Sequence, residues 1–156
     1  MNDRAFLLRA VEVSHETMNS GKGGPFRVVI VRDGKIISEG GNEVLSTNDP
    51  TAHAEVVAIR RACSSLGTFS LENTTLYSSC EPCPMCLAAI YWARVPRIVY
   101  ANTREAAEKI GFDDALFYEE IAKPPGLRKI ACEHLPLPEA EAAFTAWENK
   151  PDRVDY

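Results

Sequence analysis

The chain has 156 residues, 46% of them apolar and 25% charged, with a formal net charge of −5. That composition suits one soluble domain with a sizeable core, and no apolar run reaches the roughly 18–20 residues of a membrane span. An acidic total with no evident basic stripe argues against a surface built to hold phosphate backbones.

Residues 3–19 predict a helix, with Phe6, Leu7, Ala10, Val11 and Ser14 spaced as one inward stripe and Gly21 as its stop. Charges interrupt the apolar part of this N-terminus, MNDRAFLLRAVEVSHE, so it does not read as a signal peptide. The expected compartment is the cytoplasm, where thiols stay reduced. RVVIV (27–31), RDGK and IISEG (36–40) predict a hairpin turning on Asp33-Gly34. A polar loop (42–50) leads into a helix expected from about Thr51 to Ser65, with Pro50 and Thr51 as start signals and Gly67 as a stop.

TLYSS (75–79) and RIVYA (97–101) predict strands, and CLAAIYWAR (86–94) predicts a helix with Pro82 and Pro84 at its threshold. Helical stretches are expected at 103–110 and 115–122, broken by Pro124 and Pro125. RKIACEHL (128–135) predicts a last edge strand and PEAEAAFTAWENK (138–150) a last helix. Strands alternating with helices after an opening hairpin indicate an α/β sandwich with a mixed sheet.

Five cysteines, Cys63, Cys80, Cys83, Cys86 and Cys132, are an odd set for a disulfide framework. Metal binding, catalysis and core packing remain. Cys83 and Cys86 lie three apart and share a helix face, and HAE at 53–55 adds an imidazole, so the three offer zinc its preferred ligand types. Cys83 and His53 are both expected in first helical turns, where unpaired N–H groups and the helix dipole favour a thiolate. Proline suits that turn, having no N–H to leave unsatisfied.

Three ligands leave a fourth metal position for water, the pattern of a catalytic site. Cys80, still leaving its strand, is better placed to pack beside the site than to join it. Glu55 can bring a carboxylate over the open position and move protons there. Alone, P-C-x-x-C fits a redox pair, half of a structural zinc site or simple packing. Paired with H-x-E about thirty residues upstream, it points to hydrolysis.

Together these motifs resemble the signature of the cytidine-deaminase superfamily of zinc hydrolases. GGPF (23–26), NDPTAHAEVVAIRRAC (48–63), YSSCEPCPMCLAAIYWAR (77–94), GFDD (111–114) and the final Tyr156 resemble its guanine-deaminase branch, over essentially the whole chain. The resemblance implies a cytidine-deaminase-like three-layer α/β/α sandwich with a five-stranded mixed sheet, in a single domain spanning 1–156. It implies one zinc ion per subunit on His53, Cys83 and Cys86, with Glu55 as proton carrier and Asp114 as a second acid. Phe26, Asn42, Ala54, Trp92, Asp114 and Tyr156 would meet the substrate.

The implied reaction is hydrolytic deamination of a free aminopurine, guanine to xanthine and ammonia. The implied assembly is a homodimer whose C-terminal segment, about 140–156, crosses to the partner. Neither nucleic acid nor membrane is an expected partner. A tRNA adenosine deaminase, or a deaminase of a related nucleoside or amino-triazine, is the alternative.

Without the resemblance, Phe26 and Trp92 read as core, Asn42 as a turn residue, Asp114 as a helix cap and the tail as a frayed end. Cys63 and Cys132 read as buried thiols, and His15 and His134 as surface or helix-packing residues. One departure stands out. The branch follows GGPF with glycine and a small residue, whereas this chain has Arg27-Val28. Such an arginine would face solvent, pair with an acid or narrow the pocket.

Overall fold

Strand periodicity sorts RVVIVR into two faces, and both are buried. In this computed structural model, which describes residues 2–156, Val28 and Ile30 join Leu76 and helix residues Ala54, Ala58, Ala62, Ile90 and Ala93 in one core cluster. Val29 and Val31 join Tyr77, Phe6 and Ala10 in a second cluster on the other face. The strand is β1 (Arg27–Arg32), and it pairs antiparallel with β2 (Lys35–Gly41) and with β3 (Thr75–Cys80). β3 pairs parallel with β4 (Ile98–Asn102), giving a mixed sheet ordered β2-β1-β3-β4. The hairpin turn has φ of 50° at Asp33 and 71° at Gly34, the left-handed pair that a two-residue turn needs.

Helix α1 (Asp3–Asn19) covers one face, with Phe6, Ala10, Val13, Ser14 and Thr17 buried. It is pinned at its start, where Tyr77 donates its hydroxyl to Asp3 (2.7 Å) and Arg97 donates to both Asp3 carboxylate oxygens. The other face carries α3 (Ala54–Leu66) and α4 (Pro84–Trp92). The three layers of the expected sandwich are therefore present. A one-turn helix, α2 (Val44–Thr47), interrupts the expected polar loop, and α5 (Arg104–Glu108) follows β4.

The chain divides into two compact units, the first ending at Asp114 and the second running from Ala115 to Tyr156. The second holds α6 (Ala115–Ala122), a 3-10 turn (Pro125–Leu127) and α7 (Pro138–Glu148), and none of its residues is buried. The expected fifth strand does not form, so the described sheet has four strands. RKIACEHL is flanked by prolines and its polar groups are taken locally. Lys129 donates its backbone N–H to Glu120 (2.6 Å), and Arg128 Nε donates to the carbonyls of Glu120 and Lys123 (3.1 Å each). Cys132, expected to be buried, is exposed there, as is His134; Cys63 is half-buried. No described helix is long and apolar enough to cross a membrane.

Candidate metal centre and active site

His53 and Cys83 occupy matching places, each the N-cap of its helix, with extended backbone at φ −69°, ψ 156° and φ −66°, ψ 168°. Both were expected inside the first turn, with α3 beginning near Thr51. For α3 the reason is local. Asp49 accepts the Thr51 N–H (2.8 Å) and hydroxyl (2.7 Å), and Ala52 donates to the Asp49 carbonyl (3.0 Å), so residues 49–52 close a turn before the helix begins. For α4, Pro84 is the first helical residue, the place where a missing N–H is harmless.

Cys86 lies one turn into α4 and is fully buried. His53 Nδ1 stands 3.5 Å from the Sγ atoms of both Cys83 and Cys86, and the three ligand atoms lie within 4.8 Å of one another. Two ligands at ordinary zinc–nitrogen and zinc–sulfur lengths, tetrahedrally disposed, would be about 3.6 Å apart. Donor types and spacing both fit zinc.

The charges agree. The Cys83 thiol is held down, to about 4, by hydrogen bonding from Cys86 and then from His53, against the opposing effect of burial. Cys86 is pushed up by its bond to Cys83 and by burial. His53 is raised because its bond to Cys83 outweighs burial.

Glu55 is the second residue of α3 and is 7% exposed. Burial raises its pKa, against a smaller opposing effect of hydrogen bonds from its own backbone and from Cys86. Asp114 is half-buried, and its carboxyl is also raised, first by burial and then by the Cys83 charge. Cys80 ends β3 beside the cluster without joining it, and its Sγ faces the Thr103 carbonyl at 3.7 Å. Burial and the Glu55 charge lead in pushing its thiol up to about 11, and Asp114 adds to this.

Asn42, 5% exposed, follows β2 and donates its backbone N–H to the Phe26 carbonyl (3.2 Å). Its Oδ1 accepts the Val44 N–H (3.2 Å). Ala54, between His53 and Glu55, puts its methyl wholly into the core. Trp92 lies at the opposite end of α4 from Cys83, about 12 Å along the axis from Pro84, and is 68% exposed, so it is neither core nor enclosed. Tyr156 is exposed in the second unit.

Arg27 does not narrow the site. It shares strand parity with Val29 and Val31, on the α1 side of the sheet, and donates to Glu39 (2.8 Å), which also accepts from Arg9 (3.0 Å). Sequence reasoning singled out Phe26 but passed over Phe112, whose ring meets Phe26 edge-on at 4.8 Å between centroids and 90° between planes. An aromatic residue two positions before Asp114 was the available signal.

Residues 1–102 match the zinc-binding region of cytidine and deoxycytidylate deaminases. Guanine deaminase from Bacillus subtilis is 51% identical over 156 residues, the full length of both chains. The X-ray structure of that enzyme superposes with a TM-score of 0.97, at 51% identity, covering 100% of this chain and 99% of the other. A structure of guanine deaminase from Nitrosomonas europaea gives 0.67 at 31% identity, covering 70% and 64%. A tRNA-specific adenosine deaminase from Aquifex aeolicus is 31% identical over 150 residues, 96% of each chain. With a zinc-fitting cluster at two helix starts and a family match over the segment that carries it, the chain belongs to the cytidine and deoxycytidylate deaminase zinc-binding family.

Proposed function

We propose that this chain hydrolytically deaminates a free aminopurine base, guanine to xanthine and ammonia. The full-length likeness to a guanine deaminase carries the reading, and a buried acid beside a zinc-fitting cluster supplies its chemistry. A zinc ion held by His53, Cys83 and Cys86 supplies the Lewis acidity that makes water a nucleophile near neutral pH.

The rest is done by side chains. Glu55 accepts a proton from the attacking water and delivers it to the ring nitrogen beside C2. It then takes the proton of the newly added hydroxyl and gives it to the amino group, which leaves as ammonia. A carboxyl raised by burial suits this alternation, since it must both take and return a proton. With its Oδ1 anchored by Val44, Asn42 offers amide N–H donors to the base. Phe26 supplies an apolar face. Ala54 has only backbone to offer, the N–H of a helix first turn. Asp114 contacts the purine edge and assists proton transfer.

The assembly that fits is a cytoplasmic homodimer in which about residues 140–156 cross to the partner, bringing Tyr156 to its site. Leu127, Ile130, Leu135 and Phe144 are each more than 70% exposed, and so small a unit does not hold apolar side chains open to water by itself. A second copy is the occupant. Light scattering on the purified protein gives twice the chain mass; a monomer refutes the exchange.

The experiment for the activity is ammonia release against guanine, guanosine, adenine, cytosine, amino-triazines and tRNA. Guanine turns over, and Glu55→Gln lowers kcat by about 10²–10⁴-fold. Turnover of another base with guanine inert overturns the substrate; undiminished release by Glu55→Gln overturns the mechanism.

A further inference from the structure

We propose that Phe112 is a positioning residue for the reaction, holding Phe26 and Asp114 in register through an edge-on ring pair that Gly24 makes room for. The inference rests on the proposed activity, which gives Phe26 and Asp114 their work. Three observations carry it, all in the first unit.

The ring of Phe112 meets that of Phe26 at 4.8 Å and 90°, the arrangement in which a positive ring edge faces a negative ring face. A Cβ added at Gly24 would lie 2.9 Å from Phe112 Cζ and 2.9 Å from Phe26 Cε2, nearer than real Cβ contacts come. The missing side chain at Gly24 is therefore what admits both rings. Finally, the backbone aims Phe112. Gly111, at φ 95°, turns the chain just after α5, the Phe112 N–H returns to the Ala107 carbonyl (3.0 Å), and Asp114 follows two residues later.

The GGPF and GFDD segments, almost ninety positions apart, thus meet through one ring pair. An edge-to-face pair of this kind is worth about two- to ten-fold in an equilibrium. Phe112 packs on Phe26 and precedes Asp114 by two residues, so its loss leaves Glu55 and the metal ligands in place and loosens Phe26 and Asp114 where they hold the base. The effect falls on KM.

The test compares Phe112→Leu, Phe112→Tyr, Gly24→Ala and the Gly24→Ala/Phe112→Leu pair with the unaltered chain. Zinc content and melting temperature are measured on each. Phe112→Leu keeps apolar volume but loses the ring edge. Its KM rises three- to ten-fold while kcat stays within about threefold, whereas Phe112→Tyr, which keeps the edge, stays near the unaltered chain. Gly24→Ala raises KM similarly, and the double variant falls short of the product of the two single effects.

A KM for Phe112→Leu within twofold of the unaltered chain overturns the proposal. So does multiplication of the two single effects, or a loss confined to kcat with loss of zinc. Ratios are read on whichever base the unaltered chain turns over. Inert guanine therefore counts against the substrate, while the KM ratio still decides the role of Phe112.

Discussion

Replacing Gly40 with alanine tests whether the site depends on how closely β2 approaches α3. A Cβ there would lie 2.5 Å from the Ala58 nitrogen, 2.9 Å from the Ala58 methyl and closer still to the Ala54 carbonyl oxygen. Ordinary contact begins near 3.4 Å, so clearing the Ala54 oxygen would need the helix to retreat by about 1.2 Å. The obstacle is backbone, which has no rotamer to escape into. The Ser38 hydroxyl, bonded to the Ala58 carbonyl at 2.8 Å, fastens the same two elements and resists the retreat.

Overpacking of this kind costs about 1–3 kcal/mol. For a chain of this length about 2 kcal/mol corresponds to a melting temperature lower by about 4–8 °C. The displaced end of α3 carries His53 and Glu55, and a misplacement of about 1 Å costs on the order of 10²-fold in rate. Ammonia release is measured with zinc in excess, so that lost activity reports geometry. Gly126→Ala, where an added Cβ meets nothing within 4 Å, is the control. A Gly40→Ala variant that melts within 1 °C of the unaltered chain and keeps kcat/KM within about threefold refutes the reasoning.

Cys86→Ser purifies with little zinc, whereas Cys80→Ser keeps one equivalent per chain, because Cys80 lies outside the cluster; metal analysis distinguishes them. Stripping zinc with a chelator abolishes ammonia release, and adding zinc back restores it. Burial tends to raise the Glu39 carboxyl, but hydrogen bonds from Arg9 and Arg27 prevail and leave it below its usual 4.5. A depressed folded pKa means stability that is present above pH 4.5 and lost as pH falls through the folded value. Melting of Glu39→Gln should therefore lie below that of the unaltered chain at pH 7, by on the order of 1 kcal/mol, and the two curves should converge in acid. A gap that persists at low pH contradicts the pairing.

Local chemistry was legible in the sequence wherever one residue type dictates one conformation. Asp33-Gly34 announced the hairpin, and Pro84 the start of α4. The ligand set was legible because imidazole and thiolate have few other reasons to recur at helix starts. Long-range consequences were not. That Arg27 faces Glu39 follows from strand parity and register, which a lone arginine does not reveal. The fifth strand was misread because RKIACEHL looks β-compatible by composition, while Glu120 and Lys123, earlier in the chain, take its polar groups. Phe112 was overlooked because nothing in GFDD discloses its meeting with Phe26, and the clearance at Gly24 exists only once the two segments are side by side.

His53, Glu55, Cys83 and Cys86 all belong to the starts of two helices packed on one sheet face, whereas Phe26, Asn42 and Asp114 belong to connecting segments. On the proposed reading, metal binding and most of the base recognition are thus carried by different pieces of chain. A lineage that rewrote residues 23–26 and 111–114 could change the base it accepts without disturbing a single ligand. The same separation gives a practical order for redesign: vary the loops, leave the helix starts alone, and use zinc content to tell a changed preference from a broken enzyme.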